Sequence, residues 1–231
     1  MRTVGILGGL GPESTVIYYK EIVGQYRAAA GTDDFPHILI NSINMTHVLN
    51  LINGREYDRL VRLLADEIEH LAAAGAELCA IASNTPHVVF DRLAGKVNVP
   101  MVSIVEATAA RAHFLHLKRV LLIGTRFTMQ NDFYARCFRE KQITVIVPEA
   151  ADQEIIHSVI FPELESGIVR PEKKRVVLDI CTGLIERDNL DGIILGCTEL
   201  PLMLKQDDFS STVLDTVRIH VEKLVSGILG K

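Results

Sequence analysis

An apolar run that ends abruptly at a reactive side chain does most to fix what this chain can fold into. In Asp191-Gly192-Ile193-Ile194-Leu195-Gly196-Cys197-Thr198-Glu199-Leu200, residues Ile193 to Leu195 read as a strand buried on both faces, as parallel sheets require. Gly196 lets the chain turn. Cys197 then stands at the strand's carboxyl end, the edge at which open α/β sheets bind ligands. Thr198 and Glu199 suit the opening of a helix whose free N–H groups face the same spot and draw the thiol toward thiolate. The plain alternative is a core cysteine, since unpaired cysteines are among the most buried residues. Against it stand the polar flank Thr198-Glu199 and a second copy of the pattern half a chain upstream.

That copy is Glu77-Leu78-Cys79-Ala80-Ile81-Ala82-Ser83-Asn84-Thr85-Pro86-His87. A small apolar strand again ends in a short nucleophile-type residue, and Pro86 fits the first turn of a helix, where its missing N–H costs nothing. The order of elements repeats around the two copies. Val4-Gly5-Ile6-Leu7-Gly8-Gly9 is mirrored by Val120-Leu121-Leu122-Ile123-Gly124-Thr125, and Pro100-Met101-Val102-Ser103 by Val213-Leu214-Asp215. The repeat predicts an α/β protein of two pseudo-symmetric lobes, each a parallel β-sheet flanked by helices. Residues 1–105 with 213–231 form the first lobe in this reading and 106–212 the second, with the active site in the interlobe cleft.

Between these landmarks, helices are expected over about Pro12 to Ala30, Tyr57 to Ala74 (closed by Gly75), Pro86 to Leu93, Glu106 to Leu115, Asn131 to Glu140, Asp152 to Glu165, Glu172 to Glu186 and Thr216 to Leu229. Asn50, Asn53-Gly54 and Arg55 mark a polar connection.

Several function classes drop out. Net charge is −5 over 231 residues and no basic patch stands out, so nucleic acid is not an expected partner. No apolar run is long enough to span a membrane, and Met1 leads straight into a strand, which argues against a signal peptide. The four cysteines Cys79, Cys137, Cys181 and Cys197 lack close pairing, as reduced thiols of a cytoplasmic protein do. The eight histidines show no metal-ligand spacing, and no metal is expected. Gly9-Leu10-Gly11 supplies two glycines of a dinucleotide fingerprint, but Ser14 stands where the third belongs, and the strand ending near Asn44 offers no acid for a ribose. A loop whose backbone N–H groups approach a carboxylate explains the same glycines.

Two short polar residues on opposite sides of one small site suit chemistry at a prochiral carbon: one group takes a proton from one face and the other returns a proton to the opposite face. The developing enolate-like charge needs fixed donors, and Asn84, Thr85, Thr198 and the turn N–H groups are available.

Gly8-Gly9-Leu10-Gly11-Pro12-Glu13-Ser14-Thr15, Ser83-Asn84-Thr85-Pro86-His87 and Gly196-Cys197-Thr198-Glu199 resemble the three signatures of the cofactor-independent aspartate/glutamate racemase superfamily, closest to its aspartate racemase and broad amino-acid racemase branch. The likeness runs over essentially the whole chain. It implies a cytoplasmic homodimer that uses no pyridoxal phosphate and acts on a small amino-acid or dicarboxylate substrate. It also implies Ser83 and Cys197 as the catalytic pair and substrate contacts from Leu10, Asn84, Thr85 and Thr198, to which Glu199 is added. The family usually carries cysteine where this chain has Ser83, a poorer base unless a neighbour such as His87 activates it. Some aspartate-specific relatives carry a basic residue in the helix that here spans Ile155 to Glu165, whereas this chain has Glu163 and Glu165, which weakens the case for a second substrate carboxylate. The rival readings are a superfamily decarboxylase or cis-trans isomerase of a small diacid, and a non-catalytic binder of amino acids or carboxylates.

Overall fold

Continuous burial, rather than alternation, marks the central strands of this protein, which we describe from a computed structural model covering residues 1–31 and 33–230. All five residues of β1 (Val4–Gly8) are buried. Apolar side chains on both faces of a strand need cover on both faces, which crossover helices supply. The chain continues through α1 (Pro12–Ala30), β2 (Ile38–Ser42), α2 (Met45–Asn53), α3 (Tyr57–Ala73) and β3 (Leu78–Ile81). A 3-10 turn at Thr85–Val89, α4 (Phe90–Ala94) and the short β4 (Met101–Val102) follow. Helix α1 starts with Pro in its first turn and stops at Gly31, whose left-handed backbone (φ 65°) returns its N–H to the Arg27 carbonyl. Helix α3 buries Leu60, Leu64, Ile68 and Leu71, a stripe at helical spacing.

The second half runs α5 (Ile104–Phe114), β5 (Arg119–Ile123), α6 (Arg126–Gln130), α7 (Phe133–Glu140), β6 (Thr144–Ile146), α8 (Ala150–Ile160), a 3-10 turn at Leu164–Ser166 and α9 (Pro171–Asp188). Then come β7 (Gly192–Leu195), 3-10 turns at Leu200–Leu202 and Gln206–Asp208, β8 (Thr212–Asp215) and α10 (Thr216–Ile228).

Each half builds one four-stranded sheet, in the orders β2-β1-β3-β4 and β6-β5-β7-β8. Every pairing is parallel. The expected α/β class with two similar parallel sheets is thus observed, and the two orders are the same order. In each sheet the chain leaves the first strand toward one edge and comes back to its other side. The carboxyl ends of β1 and β3, and of β5 and β7, therefore flank a topological switch point, where neighbouring loops diverge and leave room for a ligand.

The chain divides into two compact units, Met1–Ile104 with His220–Lys231, and Val105–Ile219. The reading that gave 213–231 to the first lobe misplaces Val213 to Ile219. β8 pairs with β7 from Gly192↔Thr212 to Leu195↔Asp215 and so completes the second sheet. The polar stretch around Asn50 is likewise ordered as α2, capped by the Asn44 side chain accepting from the His47 N–H at 3.1 Å.

Two glycines next to the switch point of the second sheet touch through their backbones. A Cβ on Gly124 would lie 2.9 Å from the Gly196 carbonyl oxygen. Gly124→Ala is therefore expected to cost about 2 kcal/mol, because backbone on both sides must shift. Urea unfolding reads this directly, and a midpoint equal to that of the unaltered protein would refute the packing argument.

Candidate functional site

In the first unit, β3 ends at Ile81 and Ser83 is the second residue beyond it. The turn is pinned at two consecutive carbonyls. Ser14 Oγ donates to the Ala82 carbonyl at 2.7 Å, and a ring nitrogen of His87 meets the Ser83 carbonyl at 2.9 Å. Ser83 and Thr85 are half-buried, while Asn84 and His87 are buried. Leu10 follows β1 on the same carboxyl edge of the sheet, with its side chain in the core. Gly9, with φ 75°, takes a backbone conformation that favours glycine, and an added Cβ would run into the Ile43 carbonyl. Its N–H donates to Thr15 Oγ1 at 2.8 Å, so this donor of the glycine-rich loop already has its partner.

His87 does not activate the Ser83 hydroxyl. Its Nδ1 donates to the Ser83 backbone carbonyl, and its Nε2 accepts from the Ile104 N–H at 3.3 Å. Both ring nitrogens are occupied by backbone.

In the second unit, β7 ends at Leu195 and Cys197 is again the second residue beyond the strand. The equivalence with Ser83 holds strand for strand and residue for residue. The Gly196 N–H donates to the Ile123 carbonyl at 2.7 Å, just as the Ala82 N–H donates to the Leu7 carbonyl at 2.9 Å. Cys197 is 7% exposed, with Thr198 and Glu199 buried beside it. One oxygen of Glu199, Oε2, accepts from the Cys197 thiol at 3.0 Å and from the Thr198 hydroxyl at 2.9 Å.

The expected thiolate is not what this environment favours. Burial comes first in pushing the Cys197 thiol well above the usual thiol range, and the charge and hydrogen bond of Glu199 add to it. The Glu199 N–H pulls the other way, but the helix expected after Thr198 is only the short 3-10 turn Leu200–Leu202, too brief for a substantial dipole. Without a ligand, Cys197 is a protonated thiol donating to a carboxylate.

Glu165 is the residue that sequence reasoning undervalued. It lies on the 3-10 turn Leu164–Ser166, and burial followed by the charge of Glu199 pushes its carboxyl up to about 7. It also helps to raise Cys197. Its only signal in the sequence is an acid set in the apolar stretch from Val159 to Ile168. Glu163 differs: it pairs with Arg170 at 3.0 Å and Lys173 at 2.7 Å, an ion-pair cluster that holds the start of α9.

The other thiols stay out of this chemistry. Burial pushes Cys79 and Cys181 up to about 12, and Cys137 is half-buried. Among the described residues no group of three or more His, Cys, Asp or Glu is placed to hold a metal ion, and no helix is long and apolar enough to cross a membrane.

Known proteins resemble this chain in sequence and in fold. The model of the Asp/Glu/hydantoin racemase family matches residues 7–224. An aspartate racemase homologue from Pyrococcus horikoshii is 38% identical, with a TM-score of 0.88 over 99% of this chain and 100% of that one. A broad-specificity amino-acid racemase from Bacillus subtilis is 24% identical over 98% of both chains. A glutamate racemase from Exiguobacterium sibiricum is 30% identical over 139 residues, which is 59% of this chain and 49% of that protein.

Proposed function

This chain belongs to the Asp/Glu/hydantoin racemase family, and from that premise we propose that it is an amino-acid racemase working without pyridoxal phosphate, with Cys197 and Ser83 as its acid/base pair. The observation that carries the reading is the equivalence of the two residues. Each is the second residue past the third strand of the same parallel order, next to a switch point.

The hydrogen bond from Cys197 to Glu199 supplies the first step. As the substrate's α-ammonium approaches, its positive charge offsets the charge left behind when the thiol proton passes to Glu199. The thiolate then takes the α-proton and becomes a thiol again. The electron pair left on Cα delocalises into the substrate carboxylate, which Asn84, Thr85 and Thr198 are assigned to bind. Ser83 gives its hydroxyl proton to the opposite face and regains one from solvent, while Glu199 releases to solvent the proton it took from the thiol, so the pair returns to its starting state. The step inverts Cα, with no net change of atoms or charge in the substrate.

Because the equilibrium constant of a racemisation is one, kcat/KM is equal in the two directions. The weak serine shows elsewhere. The enantiomer whose α-hydrogen faces Cys197 exchanges that hydrogen with solvent faster than it inverts. The test incubates each enantiomer of aspartate, glutamate and a set of neutral and basic amino acids in D2O. Proton NMR follows loss of the α-hydrogen and circular dichroism follows inversion. Aspartate and glutamate head the set because the similar proteins are named for them. An absence of exchange with every amino acid would sink the proposal.

Ser83→Cys is expected to raise the inversion rate on the order of a hundredfold, toward the exchange rate, since a thiol is a far better acid and base than a hydroxyl. An unchanged ratio of inversion to exchange would remove Ser83 from the mechanism. The lone thiol favours one rival, decarboxylation of a small diacid, which needs a single proton donor. Carbon dioxide release from malonate-type diacids in the same NMR assay would identify it.

A further inference from the structure

Two buried imidazoles lie behind the Ser83 turn, and their hydrogen bonds determine where each proton sits. A carbonyl can only accept and a peptide N–H can only donate. His87 therefore carries its proton on Nδ1, given to the Ser83 carbonyl, and accepts on Nε2 from the Ile104 N–H. His220 carries its proton on Nε2, given to the Val102 carbonyl at 3.0 Å, and accepts on Nδ1 from the Tyr18 hydroxyl at 2.7 Å. The rings meet edge to face at 6.3 Å, and His87 stacks on Phe90 at 5.0 Å, nearly parallel. Burial pushes His87 down to about 3 and His220 down to about 4, so both stay neutral near pH 7.

A ring with both nitrogens committed to backbone has no proton chemistry left to offer. It ties the turn after β3 to Ile104, the first residue of α5, and its neighbour extends that tie to α10 and α1. We propose that His87 is a positioning residue for Ser83: by holding the Ser83 carbonyl it sets the peptide plane from which the hydroxymethyl group projects, with His220 and Tyr18 holding His87 in place. The proposal rests on the assignment of Ser83 as an acid/base group. It assigns to a buried side chain the control of one face of the substrate and not the other.

That one-sidedness supplies the test. His87→Leu removes the donor to the Ser83 carbonyl. It is expected to lower inversion about ten- to a hundredfold, the usual consequence of misplacing a reacting group by an ångström or less. Exchange at the Cys197 face should stay within a factor of two. His87→Asn, whose amide nitrogen lies near the place of Nδ1, should recover most of the inversion rate. A loss shared equally by inversion and exchange would reduce His87 to a general stability element and overturn the proposal, as would an unchanged inversion rate.

Where the unaltered protein exchanges no α-proton, the racemase reading fails, but the positioning claim keeps its own measure. In the Ser83→Cys background the rate of thiol alkylation by iodoacetamide should change severalfold on adding His87→Leu and return on His87→Asn. An alkylation rate indifferent to both substitutions would overturn the claim. Melting temperatures of all the variants, measured alongside, separate local repositioning from partial unfolding.

Discussion

Replacing Cys197 with alanine is expected to lower both inversion and solvent exchange by at least about a thousandfold, the upper part of what one positioned acid/base group contributes. Both rates fall together because the thiol acts before the paths to exchange and inversion separate. Cys197→Ser should retain a trace of activity, since a hydroxyl keeps the hydrogen bond to Glu199 but is a far weaker acid. The fold should survive in either variant. Thr198 still donates to the Glu199 oxygen at 2.9 Å, so the buried carboxylate is not left without a partner. Binding of an amino acid by calorimetry, retained in Cys197→Ala, would show that the loss is chemical. Exchange within tenfold of the unaltered protein would remove the thiol from the reaction.

Mild acid is expected to have the second large effect, on stability. His87 and His220 are neutral in the fold, with pKa values lowered to about 3 and about 4, whereas a histidine in the unfolded chain titrates near 6.5. Above that unfolded value both states are neutral, and the two rings leave stability independent of pH. As pH falls below it, the unfolded chain binds protons that the fold refuses, so stability drops by about 1.4 kcal/mol per pH unit for each ring. The drop continues until the folded-state values are reached. At pH 5 the pair should have removed about 4 kcal/mol relative to pH 7, a large part of the 5–15 kcal/mol typical of a domain. Urea midpoints at pH 7, 6 and 5 measure this. A flat profile down to pH 5 would contradict the buried neutral pair.

Strand ends carried most of what the sequence could reveal. Apolar runs buried on both faces stand out from their surroundings, so β1, β3, β5 and β7 and the residues just beyond them were readable. Glycine-rich turns and Pro at helix starts fixed α1 and the turn at Thr85. What escaped was decided by tertiary context. β8 is half-exposed and carries no signal of which sheet it joins; only its pairing with β7 assigns it. The α2 helix looked like a polar connection, although Val48, Leu51 and Ile52 bury one face of it. The state of Cys197 also lay outside the sequence's reach. Thr198 and Glu199 announce a helix opening, but what settles the thiol is burial and two acids, one of them brought back by the turn at Leu164–Ser166. His87 was visible as a neighbour of Ser83. That it grips the backbone rather than the hydroxyl follows from the position of the Ile104 N–H.

The protonated, nearly hidden thiol has a practical consequence. Peroxide and electrophilic metabolites attack the thiolate, so a sulfhydryl kept neutral behind a carboxylate gives them little to react with. Cys197 should therefore withstand storage in air without added reductant, and the same atom becomes vulnerable only in the moments when a bound cation has drawn its proton away.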